Sequence, residues 1–149
     1  MNEPDELRRL LPRTTTPNTF FDTNVVLYLF SADAAKADRA EELIARGGQI
    51  SVQVLNELAA VARRKLAMSW REVGDILTHV RAICRVAPLT VETHERGLKV
   101  AQRFGLSVYD GMIVASALIA GCAILYSEDM QHSQVIDGQL TILNPFVAR

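Results

Sequence analysis

Four acidic residues interrupt apolar stretches of the sequence. Asp22 follows two phenylalanines in "TFFDTNVVLYLF", and Asp129 follows the apolar run 123–127 in "YSEDMQ". Glu57 and Asp110 each share a helical face with apolar residues three and four positions away. Burial of one unpartnered carboxylate is costly, and convergence of four adds repulsion that raises their pKa values. These acids therefore need a counter-charge.

That counter-charge must come either from buried basic residues or from a bound cation. The basic residues of the chain do not fall on the apolar stripes that carry the acids. Carboxylate oxygens are ligands that Mg²⁺ and Mn²⁺ prefer. The sequence thus predicts a divalent-metal site held by Asp22, Glu57, Asp110 and Asp129. Asn24 and Ser127 add neutral oxygen donors beside two of these acids.

Three of the four acids also have a capping role that the sequence leaves open. Asp22 can cap the helix that follows it. Asp110 forms a Ser-x-x-Asp pattern with Ser107, which is typical of a capping box. Asp129 can cap a short turn after its strand. Glu57 lacks such a role, because the interior of a helix offers no cap.

Short apolar strands alternate with amphipathic helices along most of the chain. The predicted strands are 19–22, 49–51, 84–89, 123–127 and 140–144. The predicted helices are 24–30, 34–48, 52–67, 70–83, 91–105 and 108–120. Apolar and polar residues do not alternate strictly along the strands, which favours burial on both faces of the sheet. We therefore expect a three-layer α/β/α sandwich with a mostly parallel central sheet, whose carboxyl edge gathers ligands.

Length and composition indicate one domain with a sizeable core. The chain has 149 residues, of which 49% are apolar. We expect a flexible arm over residues 1–18, with a short helix around Glu6–Leu11, and a single domain over residues 19–149. The formal net charge is −1, so any contact with nucleic acid needs a local basic patch. The run Arg63-Arg64-Lys65 is the candidate, although it also suits a helix C-terminus.

Compartment and membrane character follow from a few local features. Cys84 and Cys122 both lie in apolar stretches without framework spacing, which favours a reduced, cytoplasmic protein. The N-terminal sequence is mixed in charge and unlike a signal peptide. Residues 111–127 carry no charge, but Gly121 divides them. A buried helix, a glycine cap and a buried strand explain this stretch better than a membrane span.

Four segments together resemble the motifs of PIN-domain ribonucleases, and VapC-type toxins of toxin–antitoxin pairs most closely. They are "FFDTNVVLYLF", "ISVQVLNELAAVARRK", "LSVYDGMIVASALIAGCAILYSEDMQ" and "ILNPF". The resemblance runs from about residue 19 to 146, with Ser133 where many relatives carry Gly. It implies Mg²⁺- or Mn²⁺-dependent cleavage of single-stranded RNA regions by a nuclease domain. It also implies a homodimer and an antitoxin that masks the site.

The resemblance assigns roles to residues of this sequence by motif. It makes Asp22, Glu57, Asp110 and Asp129 the metal-binding and catalytic acids. It gives Asn24 and Ser127 a supporting role. The chemistry fits, because a divalent ion activates water and polarises a phosphate.

Two other classes of protein compete with a nuclease. An aspartyl-phosphate hydrolase of haloacid dehalogenase type would use Asp22 and position 24 as an Asp-x-Asp motif, but position 24 is Asn. A non-catalytic α/β binding module would carry the same acids for structural reasons. Metal-dependent RNA cleavage that stops with EDTA separates the nuclease from both.

Overall fold

A computed structural model of the chain describes residues 18–147. The expected arm over residues 1–18, with its helix around Glu6–Leu11, falls outside this range apart from Asn18. The described residues form the α/β fold that the alternating pattern predicts.

Six strands and six α-helices follow one another along the described chain. The strands are β1 (Thr19–Phe21), β2 (Gln49–Ser51), β3 (Arg85–Ala87), β4 (Ile124–Tyr126), β5 (Val135–Ile136) and β6 (Leu140–Leu143). The helices are α1 (Thr23–Leu27), α2 (Ala34–Ala45), α3 (Val52–Arg64), α4 (Trp70–Ile83), α5 (Val91–Phe104) and α6 (Val108–Ile119). A 3₁₀ turn, Tyr28–Phe30, continues α1.

The strands form one sheet in the order β3-β2-β1-β4-β6-β5. Strands β1, β2, β3, β4 and β6 run parallel, and β5 pairs antiparallel with β6. Strand β5 was not predicted, because two residues are too short for a periodic signal. The turn after it contains Asp137 at φ 51° and Gly138 at φ 65°, and Asp-Gly is typical of a tight hairpin turn.

The core lies on both faces of the sheet, as the absence of apolar–polar alternation along the strands indicates. Phe20, Phe21, Ile50, Leu125 and Ile142 are all fully buried. Neighbouring side chains of a strand point to opposite faces, so the burial of both Phe20 and Phe21 requires a layer on each side. This confirms the three-layer arrangement.

Helices α5 and α6 approach each other closely at two glycines. A Cβ built on Gly111 would lie 2.4 Å from the carbonyl oxygen of Gly97 and 2.9 Å from Cβ of Ala101. Both glycines therefore belong to the contact surface of the two helices. Gly111 directly follows Asp110 in the first turn of α6, so this contact fixes the position of that acid.

The uncharged stretch 111–127 divides as expected. Helix α6 ends at Ile119, Gly121 has a φ of 74°, and β4 begins at Ile124. A glycine with positive φ just past a helix is the usual C-terminal signal. None of the helices between residues 18 and 147 combines the length and apolar character that crossing a membrane requires.

Candidate active site

The two strands at the centre of the sheet end in acids at the same edge. Strands β1 and β4 are parallel neighbours, with Phe21 opposite Tyr126. Asp22 follows β1, and its backbone N–H donates to the carbonyl of Tyr126 at 3.0 Å. Ser127 follows β4. The parallel sheet thus places residues 22 and 127 side by side at its carboxyl edge.

Asp22 is 3% exposed, and its carboxylate accepts three hydrogen bonds. The backbone N–H of Thr23 donates to its Oδ1 at 2.7 Å. The Ser127 hydroxyl and the Asn24 amide donate to its Oδ2, at 2.7 and 3.3 Å. Asp22 is also the N-cap of α1, so the capping role is present together with the acidic cluster. The two explanations of this residue are compatible.

Glu57 lies half-buried on α3 and faces the same edge. The Thr23 hydroxyl donates to its Oε2, and the Gln53 side chain also bonds to it. Thr23 was not among the predicted site residues. The available signal was its position in the sequence, between the two predicted site residues Asp22 and Asn24.

Asp110 and Asp129 complete the set of acids. The Ser107 hydroxyl accepts from the backbone N–H of Asp110 at 3.1 Å and caps α6. Asp110 is partly buried, whereas Asp129 is exposed. The backbone N–H of Met130 donates to the Ser127 hydroxyl at 3.3 Å, which closes the turn that carries Asp129.

The pKa values show that these acids interact electrostatically. Burial raises the pKa of Asp22 to about 7; the Ser127 hydrogen bond opposes this, and repulsion from Asp110 and Glu57 adds to it. Burial and then repulsion from Asp110 raise the pKa of Glu57, against the hydrogen bond from Thr23. Burial and repulsion from Asp129 raise the pKa of Asp110. Repulsion therefore links Asp22, Glu57 and Asp110 to one another, and Asp129 to Asp110.

No basic side chain among residues 18–147 forms an ion pair with any of these four acids. Within the same range, no three acid, histidine or cysteine side chains stand in a ready-made metal-ligand arrangement. The donor chemistry nevertheless fits a hard divalent cation. The four acids offer only carboxylate oxygens as ligands, and a cation would offset the repulsion that raises the pKa values of Asp22, Glu57 and Asp110.

A second polar cluster adjoins the first and was not predicted. Glu128, between Ser127 and Asp129, binds Tyr28 and Lys36 through its carboxylate. Although burial alone would raise the pKa of Glu128, hydrogen bonds from Lys36 and Tyr28 lower it. Glu128 has a cationic partner, which none of the other four acids has among residues 18–147. Its sequence signal was weak, since its partners lie about 90 to 100 positions away.

The remaining candidate residues lie outside the acidic cluster. Arg63, in the last turn of α3, donates to the carbonyl of Met68 at 2.7 Å and stacks over Trp70 at 4.5 Å. Arg64 and Lys65 are exposed. Burial raises the pKa of both cysteine thiols to about 11, so neither is an activated nucleophile.

Fold and site together define a class: a three-layer α/β protein with coupled acids at the carboxyl edge of a parallel sheet. Residues 19–137 match the family model of the PIN domain, and the chain therefore belongs to the PIN domain family. No relative among curated proteins matches the sequence.

Solved structures with the same fold include a toxin–antitoxin complex, a toxin and a complex with promoter DNA. A toxin–antitoxin complex from Klebsiella pneumoniae has a TM-score of 0.64 at 20% identity, covering 86% of this chain and 98% of that one. The sarcin-ricin loop cleaving toxin VapC20 of Mycobacterium tuberculosis has a TM-score of 0.62 at 22% identity, covering 74% of this chain and 89% of that one. VapBC2 of Rickettsia felis, bound to a promoter DNA fragment, has a TM-score of 0.61 at 15% identity, covering 83% of this chain and 96% of that one. At these identities the likeness shows the fold.

Proposed function

We propose that the protein is a divalent-metal-dependent endoribonuclease and the toxin of a toxin–antitoxin pair. The observation that carries this proposal is Asp22. It is nearly fully buried, repelled by Glu57 and Asp110, and without a basic partner among residues 18–147. A cation would stabilise the ionised form of a carboxyl group buried in that position. PIN family membership supports nuclease chemistry.

In this proposal Asp22, Glu57, Asp110 and Asp129 hold Mg²⁺ or Mn²⁺. The bound ion would lower the pKa of a water molecule and polarise the scissile phosphate. The chain's own groups orient the acids. Thr23 holds Glu57, while Ser127 and Asn24 hold one oxygen of Asp22. The other oxygen of Asp22 is fixed by the backbone of α1.

The proposed partners are RNA, a cognate antitoxin and a second copy of the chain. The structural neighbours support the antitoxin, since one of them is a toxin–antitoxin complex. Exposed Arg64 and Lys65 are the candidate contacts for RNA phosphates, with Arg63 contributing through its packing on Trp70. We place the protein in the cytoplasm. The nuclease domain would span residues 19–149, with residues 1–18 as an arm.

The two competing classes gain no support. A haloacid dehalogenase would need a second acid at position 24, where Asn24 instead donates to Asp22 and accepts from the backbone of Glu128. A purely structural role for the acids leaves their mutual repulsion without compensation. Membership of the PIN family also disfavours both.

The test is RNA cleavage by purified protein with Mn²⁺, with Mg²⁺ and with EDTA. We expect cleavage with either ion and none with EDTA. An Asp22→Ala variant prepared in parallel identifies contaminating nuclease, because it should be inactive under all three conditions. Equal cleavage with and without the chelator would refute the proposal.

A further inference from the structure

Lys36, Tyr28 and Glu128 form a closed triangle of hydrogen bonds beside the acidic cluster. The Tyr28 hydroxyl donates to Glu128 Oε1 at 2.6 Å. Lys36 Nζ donates to Glu128 Oε2 at 2.8 Å and to the Tyr28 hydroxyl at 3.0 Å. The Lys36 and Glu128 side chains are 34% and 26% exposed. Both carboxylate oxygens of Glu128 are thereby engaged.

Lys36 makes further contacts besides its ion pair with Glu128. Its Nζ lies 4.7 Å from the ring centre of Tyr28 and 5.4 Å from that of Phe146. The two rings pack edge to face at 4.7 Å. Lys36 also lies in the first turn of α2, where its backbone N–H donates to the capping residue Asp33. The ammonium group is therefore anchored by two rings and a helix end.

A chain of hydrogen bonds leads from the triangle to Asp22. The backbone N–H of Glu128 donates to Asn24 Oδ1 at 3.2 Å. The amide of Asn24 then donates to Asp22 Oδ2 at 3.3 Å. With its oxygen committed to Glu128, the Asn24 amide can present only its NH₂ group to Asp22. The position of Glu128 thus sets the orientation of Asn24.

The triangle also separates one acid from the others. Glu128 lies between Ser127 and Asp129 in sequence, so its carboxylate without Lys36 would add a further negative charge to the acidic edge. Repulsion of that kind raises neighbouring pKa values, and a carboxylate without a partner there would also be attracted to any bound cation. Lys36 compensates the charge and directs it away from the cluster.

We propose that Lys36, Tyr28 and Glu128 are positioning residues for the acidic site, which hold the 127–129 turn and the Asn24 amide and keep the Glu128 carboxylate out of the metal-ligand set. This inference rests on the proposed function. It assigns a role in the site to Lys36, a residue of α2 that contacts none of the four acids.

Lys36→Met is the main variant, and Arg103→Met is its matched control. Arg103 donates to Asp137 at 2.9 Å in an ion pair on α5, where the Arg103 side chain is 71% exposed. Tyr28→Phe removes only the hydroxyl and keeps the ring against Phe146. We measure Mn²⁺ affinity by calorimetry, kcat and KM on one RNA, and melting in EDTA.

We expect Lys36→Met to weaken Mn²⁺ binding roughly tenfold, as loss of an outer partner of a metal site commonly does. Its kcat should fall more than its KM changes, because the cleavage geometry is affected rather than RNA contact. Tyr28→Phe should shift both quantities in the same direction by a smaller factor. Arg103→Met should leave them unchanged, and all three variants should melt cooperatively in EDTA.

A double-mutant cycle tests the path through Asn24. In an Asn24→Ala background, Lys36→Met should weaken Mn²⁺ binding by much less than in the wild type, because the connection is already broken. Fully additive losses would overturn the proposed path.

The outcomes separate this inference from the proposed function. Wild-type protein that neither binds Mn²⁺ nor cleaves RNA would overturn both. Wild-type protein that does both, alongside a Lys36→Met variant that matches Arg103→Met, would overturn the positioning role alone. A Lys36→Met variant that binds Mn²⁺ more tightly would also overturn it.

Discussion

The carboxyl edge of the sheet carries two groups of acids with opposite surroundings. Glu128 has Lys36 and Tyr28 on its two oxygens, and these bonds lower its pKa. Asp22, only six positions before Tyr28 in sequence, accepts only from neutral donors within the described part of the chain, and its pKa rises to about 7. The two carboxylates belong to adjoining clusters linked through Asn24.

The difference between the two groups lies in which acids have a basic side chain as a partner. Burial acts on both acids in the same direction, so the nearby donors and charges decide the outcome. Lys36 satisfies an acid that lies next to the coupled cluster, yet no lysine or arginine among the described residues does so within that cluster. The contrast supports a bound cation as the missing partner.

Removal of one acid from the coupled cluster should have the largest effect. We expect Asp110→Asn to lower cleavage at least about 1000-fold, since metal-assisted chemistry supplies several kcal/mol. Without metal the variant should melt no lower than the wild type, because one source of repulsion is gone. It should also lose most of the stabilisation that Mn²⁺ gives the wild type. Melting with EDTA and with Mn²⁺ measures both effects.

Ser107→Ala is the control for that experiment. It removes the hydroxyl that caps α6 and should cost about 0.5–2 kcal/mol of stability, with or without metal. Its Mn²⁺ shift should remain. If Asp110→Asn instead melted lower in EDTA and kept the full Mn²⁺ shift, Asp110 would be a cap and not a ligand.

The stability of the metal-free protein should fall as the pH rises. The pKa of Asp22 is about 7 in the folded chain against an ordinary 3.8, so between these values the folded state binds more protons than the unfolded state. Stability then decreases with pH. From about pH 4 to pH 7 we expect a loss on the order of 3 kcal/mol from this group. Urea denaturation in EDTA across that range measures it.

Asp22→Asn identifies the source of this pH dependence. The substitution removes the titrating group, so the loss of stability between pH 4 and pH 7 should become much shallower. The carboxyl groups of Glu57 and Asp110, whose pKa values are also raised, account for the slope that remains. An unchanged slope in this variant would remove Asp22 as the cause.

Neutral donors to the cluster should matter less than its acids. Thr23→Val keeps the shape of a buried side chain and removes the hydroxyl that donates to Glu57. The pKa of Glu57 should rise further, and Mn²⁺ affinity should fall by about tenfold. Calorimetric titration of Mn²⁺ into the variant checks this. Unchanged affinity would mean that Glu57 is positioned without Thr23.

The sequence predicted most of the fold because the strongest signals are local. Apolar runs, Ser107 and Thr90 as caps, and Gly105 as a stop place the helices and strands close to their observed bounds. The position of Asp22 at the carboxyl edge of the sheet was also predictable, since parallel strands have their carboxyl ends on the same side. Strand β5 could not be predicted, because it is defined by its pairing with β6. Its two residues are too few to show a hydrophobic periodicity.

The polar partners of the site were harder to predict for a related reason. Tyr28 and Lys36 meet Glu128 only through the folded sheet, across 100 and 92 positions of sequence. A lysine at position 36 looks like any residue on the polar face of an amphipathic helix. The acids were detectable because each disrupts an apolar pattern, whereas a well-paired lysine and glutamate disrupt none.

The smallest expected effect belongs to the basic residues at the end of α3, which lie outside both acidic groups. Arg63 already bonds to Met68 and stacks on Trp70, so Arg63→Ala should act mainly on stability. Replacement of both Arg64 and Lys65 by Ala should weaken RNA binding a few-fold and flatten its dependence on log salt by roughly 1.4, since each single-strand phosphate contact contributes about 0.7. Mn²⁺ affinity should not change. Binding of a catalytically inactive Asp110→Asn background to RNA at several salt concentrations measures the slope without cleavage. If the slope is the same with and without these two charges, they only compensate the end of the helix, and RNA must reach the acids along another surface.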